Sequence, residues 1–275
     1  MPEGAERLQK VLADAGVASR RDCELAVQSG RIRVNGSTVR ELPCWVRPGQ
    51  DLVELDGEIV DTARKGRVDR SAYLYFAANK PKGVISTARD PEGRAHVVGL
   101  VQGLLPRGQR VYPVGRLDAD SIGLVLLTND GDLAHRLMHP RYGVAKEYQV
   151  TVQGRLDAAA ISSLKRGMFL ADTDAIATSK GAGRSGSARR AAIEDLRVLR
   201  TFKNRSSGDL SLLRITLREG QNREIRRLLA RVGLKVRRLE RVSIGPVQLR
   251  GLKPGAARRL TEAEVAALKQ AVLLR

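Results

Sequence analysis

The alternation of apolar and polar residues predicts that the chain begins with two short helices and continues into short strands. Apolar residues along one face predict a helix over residues 7–16, and Ser19, followed three residues later by an acidic residue, is typical of the start of a second. Residues 31–34 alternate like a strand, and Asn35-Gly36 is a hairpin signal. The N-terminal part is therefore predicted to be a small helix-and-hairpin module.

Further along, strands and helices are interspersed. Residues 124–127 form an apolar run too short for a helix and typical of a buried strand. Residues 146–152 alternate, which places Tyr148, Val150 and Val152 on one face of a strand. Cap residues and apolar stripes predict helices that begin near Asp130, Asp157, Ile225 and Thr261.

Length and composition predict two domains. The 275 residues are 42% hydrophobic, which suffices for a large and a small core, and the polar stretch 66–71 reads as a linker between residues 1–65 and 72–275. No apolar run approaches the ~18 residues that cross a bilayer, and the N-terminus lacks the pattern of a signal peptide. We therefore expect a cytoplasmic protein.

The sequence offers little support for a metal or dinucleotide site. Cys23 and Cys44 do not form a Cys-x-x-Cys pair, and no Glu lies between His135 and His139 in the metalloprotease arrangement. A Gly-x-Gly-x-x-Gly match over residues 181–186 follows a poor strand and opens no obvious helix, so we interpret residues 180–190 as a mobile loop. We predict no metal and no cofactor.

The charge points to a polyanionic partner. The net charge is +19, and residues 214–250 alone hold eleven Lys or Arg against three Glu, a local balance of +8. Anionic membranes are the rival, but they favour a basic helix with bulky apolar residues opposite the charges. RNA is therefore the expected partner.

One polar segment between two apolar runs contains candidate catalytic residues, an arginine and an aspartate. Gly115-Arg116-Leu117-Asp118 leads through Ser121 and the 124–127 strand to a Thr-Asn-Asp-Gly turn at residues 128–131. Spacing alone leaves open a plain surface turn. The string resembles, however, the Gly-Arg-Leu-Asp motif of bacterial ribosomal RNA pseudouridine synthases of the RsuA and RluB type.

Two further segments resemble motifs of the same family. Lys146-Glu147-Tyr148 resembles its tyrosine motif, and residues 220–227 (Gly-Gln-Asn-Arg-Glu-Ile-Arg-Arg) resemble its third motif. The resemblance implies that Tyr148 lies against the target base and that Arg226 pairs with the catalytic carboxylate of Asp118. From the residues alone, a core tyrosine and a solvated helix arginine remain open.

The opening motif of the family is matched by Asn79-Lys80-Pro81-Lys82-Gly83. Pro81 cannot donate to a strand ladder, so the strand ends there. Lys80 is a candidate phosphate contact or a solvated strand end. The remaining predicted RNA contacts in this region are Arg116, Lys146, Arg223 and Arg227.

The N-terminal module resembles the S4 RNA-binding domain, on its two helices, its small strands and Ala18-Ser19-Arg20-Arg21 at the helix joint. Residues 1–65 hold ten Lys or Arg against eleven Asp or Glu, so the module as a whole is not basic. RNA contacts are predicted for Arg7, Lys10, Arg20 and Arg21, against the alternative of ordinary exposed helix charges.

Together the resemblances imply an α+β protein in which an S4-like domain precedes a catalytic domain with a mixed, mainly antiparallel sheet flanked by helices. They imply isomerisation of uridine to pseudouridine in ribosomal RNA, without cofactor, by a monomer. Asp118 would attack the sugar or remove a sugar proton. The partner is 23S more than 16S ribosomal RNA, or a pre-ribosomal particle, with no membrane and no small-molecule substrate.

Two other classes stay open at this point. One is a non-catalytic ribosome-assembly module that binds ribosomal RNA. The other is a phosphodiesterase that uses Asp118 and Asp120 with Mg²⁺, which removal of the metal ion would inhibit.

Overall fold

The protein divides into two compact units, Met1–Tyr73 and Leu74–Arg275. The computed structural model describes residues 3–63, 73–170, 189–204 and 208–274. The predicted linker 66–71 and most of the predicted loop 180–190 lie outside these residues. No helix in the described part of the chain is long and apolar enough to cross a membrane.

The first unit packs two helices on small strands. Its elements are β1 (Glu6–Arg7), α1 (Leu8–Asp14), α2 (Arg20–Gln28), β2 (Ile32–Val34), β3 (Ser37–Val39), β4 (Trp45–Val46), β5 (Val53–Leu55) and β6 (Glu58–Val60). β1 pairs with β4, and the other four strands form a sheet in the order β3-β2-β5-β6. Ser19 caps α2 by accepting from the Asp22 N–H at 3.2 Å, and Asn35 and Gly36 both take left-handed conformations at the hairpin. Both predicted helices and the hairpin are confirmed.

The second unit is built on a nine-stranded sheet. Its strands are β7 (Tyr75–Lys80), β8 (Tyr112–Val114), β9 (Ile122–Thr128), β10 (Lys146–Gln153), β13 (Asp195–Asn204), β14 (Gly208–Leu217), β15 (Lys235–Ile244), β16 (Val247–Gln248) and β17 (Ala257–Arg259); a separate pair is β11 (Met168–Leu170) with β12 (Arg189–Ala191). The main order is β13-β14-β10-β15-β9-β7-β17, with β8 on β9 and β16 on β15. Among the strands of this sheet that the structure describes, only β15 and β9 run parallel. The predicted mixed, mainly antiparallel sheet is confirmed.

The described part of the second unit has four helices, three of which begin directly after a predicted cap residue, Asp130, Asp157 or Thr261. They are α3 (Gly131–Met138), α4 (Ala158–Arg166), α5 (Glu224–Arg231) and α6 (Glu262–Ala271), with 3-10 turns at Val97–Leu104 and Pro140–Tyr142. Asp130 caps α3 by accepting from the Leu133 N–H at 3.0 Å, and Thr261 forms a capping box with Glu264 at the start of α6.

The helices cover the two faces of the sheet unequally. On the inner face, Val150 and Ile215 of the strands join Leu164 of α4 and Leu228 of α5 in one core. On the outer face, α3 and α6 cover β7, β8, β9, β16 and the C-terminal end of β15, where Leu126 and Ile244 belong to the second core cluster. Along β10, β14 and β15, polar and charged residues alternate with buried ones, so the rest of the outer face is open to solvent.

Candidate active site

Four residues lie side by side across the inner face of the sheet. Tyr148 of β10 pairs with Arg241 of β15, Arg241 with Gly123 of β9, and Gly123 with Lys80 of β7. Adjacent strands lie about 4.8 Å apart, so this row spans about 14 Å. Tyr148, Arg241 and Lys80 are all buried, and the segment that carries Asp118 joins the sheet immediately before Gly123.

Gly123 makes the close approach of β9 and β15 possible. Its φ is +107°, and a Cβ at this position would clash with the main chain of Arg241. Arg241 completes the junction from the other side, because its Nε donates to the Leu124 carbonyl at 2.7 Å. The row therefore has a fixed geometry where the loop of Asp118 ends and β9 begins.

The loop of Asp118 is a tight turn between β8 and β9. The Ser121 N–H donates to the Asp118 carbonyl at 3.0 Å, which closes the turn. On its N-terminal side, Ser86 Oγ accepts from the Leu117 N–H at 3.1 Å and donates to the Leu117 carbonyl at 2.9 Å. The main chain on both sides of the carboxylate is thus hydrogen-bonded.

The Asn-Lys-Pro-Lys-Gly segment, residues 79–83, holds this loop in place through hydrogen bonds. The Gly83 N–H donates to the Ala119 carbonyl at 2.8 Å, and Lys80 Nζ donates to the carbonyls of Pro81 at 3.1 Å and Ala119 at 3.4 Å. The Lys80 side chain is fully buried. The predicted RNA contact of Lys80 is therefore wrong, since its ammonium is sealed under the loop.

Burial also shifts the titration of Lys80. Removal from water lowers the pKa of its ammonium to about 8, against the opposing attraction of Asp120 and Asp118. Arg241 nearby lowers this pKa further because it has the same sign of charge.

Two arginines reach the carboxylates from α5. Arg223 Nη1 lies 3.2 Å from Asp118 Oδ2 and 3.4 Å from Asp120 Oδ1, while Arg226 Nη2 lies 3.1 Å from Asp120 Oδ2. Arg226 Nη2 also donates to Ser121 Oγ at 3.3 Å. Among the described residues no ion pair joins Arg226 to Asp118, so the predicted pairing is corrected: Arg223 contacts Asp118 and Arg226 holds the end of the turn.

The backbone explains why Arg223 reaches Asp118. Arg223 is the N-cap of α5 and takes a left-handed conformation with φ 49°, which is uncommon for a residue with a side chain. Glu224 secures this helix start by accepting from the Gln221 N–H at 2.9 Å, and burial raises the pKa of its carboxyl. The strained cap directs one guanidinium at both carboxylates.

Arg226 and Arg241 each have a buried N–H donor with no hydrogen-bond partner among the described residues. The donors are Arg226 Nε and Arg241 Nη2, and both are shielded from solvent. An unpaired buried N–H group costs about 1–3 kcal/mol. Such donors are uncommon in folded proteins. Their occurrence on two arginines near the turn that carries Asp118 and Asp120 marks this region as a candidate functional site.

The remaining residues predicted for this unit differ in accessibility. Arg116 is exposed, and Arg227 is half-buried with Nη1 3.4 Å from the Asn222 carbonyl. Lys146 is half-buried, donates to the carbonyls of Val144 and Arg218, and has its pKa lowered by burial. Its RNA contact stays a prediction, with the ammonium directed at main chain in this structure.

In the first unit, the predicted cations are partly neutralised by their own neighbours. Lys10 forms ion pairs with Glu6 and, at 3.2 Å, with Asp14. Arg7 lies over the Trp45 ring at 5.6 Å, and Arg20 and Arg21 are exposed. The RNA contacts of this group stay predictions.

Three residues of the site were absent from the sequence-based prediction: Ser86, Ser121 and Arg241. Arg241 carried a usable signal, because it occupies an inward position of an alternating strand that contains Leu239. Ser86 gave none, since a hydroxyl that bonds main chain looks like any loop serine. Ser121 stands in the motif, but its contact with Arg226 joins residues 105 positions apart and depends on the tertiary structure.

The arrangement places the Asp118 carboxylate beside the guanidinium group of Arg223, with the buried ring of Tyr148 in the row across the inner face. Asp118 keeps about a third of its side chain exposed, at 35%, so it is accessible to a substrate. Two guanidinium groups compensate the two carboxylates and fix their positions.

Comparisons with known proteins agree on one family. Residues 74–231 match the RNA pseudouridylate synthase family, and residues 6–42 match the S4 domain. A protein described as an uncharacterized RNA pseudouridine synthase from Aquifex aeolicus (strain VF5) is 38% identical, over 98% of this chain and 96% of the relative. The ribosomal large subunit pseudouridine synthase B of Bacillus subtilis (strain 168) is also 38% identical, over 96% of each chain.

A solved structure agrees in fold. A crystal structure of a pseudouridylate synthase superimposes with a TM-score of 0.56 and 24% sequence identity, covering 95% of this chain and 99% of the other. This similarity supports the α+β architecture and the order of the two units along the chain.

Proposed function

This chain belongs to the RNA pseudouridylate synthase family, and from that premise we propose that Asp118 is the carboxylate with which it isomerises uridine to pseudouridine in large-subunit ribosomal RNA. The observation that carries the assignment is the ion pair of Asp118 with Arg223, on a turn fixed at both ends.

The choice of large-subunit RNA rests on similarity to the Bacillus subtilis enzyme, whose name specifies that subunit. The net charge of +19 and the S4 domain both suit a ribosomal RNA substrate. We further propose that the protein acts as a monomer in the cytoplasm, on 23S ribosomal RNA or its precursor particle.

The reaction conserves atoms and electrons. The bond between N1 of uracil and C1′ of ribose breaks, the base rotates, and C5 forms a new bond to C1′. The proton on C5 leaves and N1 gains one, so the product is an isomer and the cycle consumes no cofactor. A base inside folded RNA must first be extruded from its stack.

Asp118 supplies the carboxylate at the sugar. Two routes suit it: attack on the sugar carbon, or removal of a sugar proton. Arg223, at 3.2 Å, places a positive charge beside this carboxylate. Deuterium on the sugar carbon that loses the proton distinguishes them, because only proton removal gives a primary isotope effect.

Tyr148 supplies the surface for the extruded base. It lies in the row across the inner face, 6% exposed, with its ring packed among Ile215 and Val150 so that its orientation is fixed. An aromatic ring held at the wall of a cationic site suits stacking, which is worth about 1–3 kcal/mol per base.

Arg226 and Lys80 position the turn. Arg226 bridges Asp120 and Ser121, and Lys80 supports the carbonyl of Ala119 from beneath. A displacement of about 1 Å in a reacting group can reduce the rate about a hundredfold. These contacts therefore contribute through the placement of Asp118.

The test is chemical mapping of pseudouridine in both ribosomal RNAs from a deletion strain complemented with wild type, Asp118→Ala or Asp120→Ala. We expect one modified uridine in 23S RNA to disappear in the deletion, to return with wild type, and to stay absent with Asp118→Ala. A site in 16S RNA would overturn the subunit assignment. Full modification by Asp118→Ala would overturn the catalytic role and favour an assembly factor.

A further inference from the structure

The open part of the outer face of the sheet carries a dense set of positive charges. We call it the basic sheet face and define it by six residues: Arg197, Arg200, Arg214, Lys235, Arg237 and Arg238. All six are exposed. They lie on β13, β14 and β15, and β10 runs between β14 and β15 in the sheet.

Strand register places these residues on the side opposite Tyr148. Val150, Val152 and Leu213 are fully buried toward the inner face, so the residues between them point outward. On the outer face, cross-strand neighbours form rows across the sheet. Arg197 is paired with Arg214 in one row, and in another row Thr151 is paired with Leu212 on one side and with Arg238 on the other. The register shifts by one residue between Val198 and Arg200 of β13, and again opposite Thr151 and Val152 of β10. These bulges keep the charged side chains of β13 and β15 on the outer face.

The dimensions suit a chain of phosphates rather than one small anion. Three strand spacings of about 4.8 Å separate β13 from β15, and three outward rows at about 6.7 Å span a similar length. The six cations are thus distributed over roughly 14 Å in each direction. One phosphate would contact a single corner of such a surface.

The charges are poorly compensated by carboxylates. Glu240 lies in the same outward row as Arg214 and pairs with Arg238 at 2.8 Å, while Glu147 and Asp195 lie in the next row, at the margin of the face. Arg197 pairs with Asp195 at the edge. Among the described residues no carboxylate forms an ion pair with Arg200, Arg214 or Lys235. Three guanidinium or ammonium groups therefore remain available to an anionic ligand.

The chemistry between the charges also suits nucleic acid. Leu210 and Leu212 are half-buried, and the 37% exposed ring of Phe202 lies at the end of the face. A membrane would favour a larger contiguous apolar surface, and a protein partner would favour fewer cations at the centre. The arginines can contact the phosphate backbone of RNA, and the exposed aromatic ring at the end of the face can contact a base.

We propose that the basic sheet face is a second RNA-binding surface, which contacts the phosphate backbone of ribosomal RNA on the side of the sheet away from Asp118. The identity of the RNA rests on the proposed function, whereas the binding itself does not. The surface would hold an RNA segment distant from the target uridine and so raise affinity without touching the reacting base.

The experiment measures binding of a fluorescein-labelled RNA duplex of arbitrary sequence by anisotropy. The duplex contains no extruded base, so the result is independent of catalysis by Asp118. The test protein is the full chain with Arg200→Gln, Arg214→Gln and Lys235→Gln. A matched control removes three exposed cations elsewhere in the same unit, Arg107→Gln, Arg250→Gln and Lys253→Gln.

We expect the test variant to bind at least about tenfold more weakly at about 100 mM KCl. A plot of log K against log salt has a negative slope, and each phosphate contact makes it steeper by about 0.9. Loss of three contacts therefore makes the slope shallower by about 2.7. The fall in affinity between about 50 and 200 mM KCl is then about fortyfold smaller than for wild type. The control should keep most of the wild-type slope.

A second variant works in the opposite direction. Thr151 lies among the cations, and Thr151→Lys adds one more, so affinity should increase and the slope should become steeper by about 0.9. Equal binding by the test and control variants, or no gain with Thr151→Lys, would overturn the proposal. Loss of turnover in Asp118→Asn with unchanged duplex binding would show that the two proposals stand separately.

Discussion

On the inner face of the large sheet Lys80 and Arg241 are buried, whereas on the outer face Arg200 and Arg214 project into solvent. The buried pair donates to main-chain carbonyls of Ala119 and Leu124. The exposed pair has no ion-pair partner among the described residues. Residues of the same chemistry therefore organise the protein on one side and are free to bind a polyanion on the other.

The physical difference is solvation. A buried cation loses its hydration, so it must find hydrogen bonds inside the protein or release its proton, and the pKa of Lys80 falls to about 8 for this reason. An exposed cation keeps its hydration and adds little to stability. Changes on the inner face should consequently have large effects on catalysis or folding, and changes on the outer face small ones.

The largest effect is expected at the carboxylates. Asp118→Asn removes the charge at nearly constant shape, and we expect the turnover number to fall at least about a thousandfold. Asp120→Asn is the matched control on the same turn, and its effect should be smaller, about ten- to a hundredfold, because it acts through position. Single-turnover kinetics on ribosomal RNA measure both. Equal losses would assign the reaction to the pair rather than to Asp118.

Lys80 should make stability depend on pH. The pKa of Lys80 is about 8 in the folded protein and near its usual value of 10.5 in the unfolded chain, so between these values the unfolded chain binds more protons and the folded state gains stability as the pH rises. Relative to Lys80→Met, wild type should gain about 3 kcal/mol over this range. Urea unfolding at several pH values tests this, with Lys253→Met as the control for loss of one charge. Parallel pH curves for wild type and Lys80→Met would contradict it.

Arg226 should affect turnover more than binding. Arg226→Lys keeps the charge but loses the planar fork that reaches both Asp120 and Ser121, so we expect the turnover number to fall about ten- to a hundredfold with little change in KM. Arg231→Lys, five residues further along α5, should stay within about twofold, since its contact is the Phe169 carbonyl. If both variants behave alike, the positioning role is refuted.

The smallest effect is expected on the outer face. Arg214→Gln removes an exposed guanidinium, and the free energy of unfolding should change by at most about 0.5 kcal/mol. Equilibrium unfolding in urea measures the difference. A loss of about 2 kcal/mol or more would show that this arginine supports the fold, and would remove the contrast between the two faces.

Local structure was largely predictable from short-range chemistry. Ser19, Asp130 and Thr261 cap helices where the sequence places them, because a cap needs only a side-chain oxygen and the next few N–H groups. Strand β13 was not predicted, since its exposed residues 197–203 lack the alternation of a half-buried strand.

Motif resemblance identified Asp118, Tyr148 and Arg226 as candidates but misassigned the contact of Lys80 and the partner of Arg226. Both depend on backbone geometry outside the motifs. The ladder between β7 and β9 buries Lys80, and the left-handed cap at Arg223 brings that residue to Asp118.

The sequence by itself determined the family, the two-part organisation, the caps and turns, and the cationic character of the protein, because each depends on composition or on residues close together in the chain. Only the tertiary structure decided which cations are buried and which remain in water. That choice depends on strand order, register and the helices that cover each face, and these bring together residues more than a hundred positions apart, as with Arg223 and Asp118.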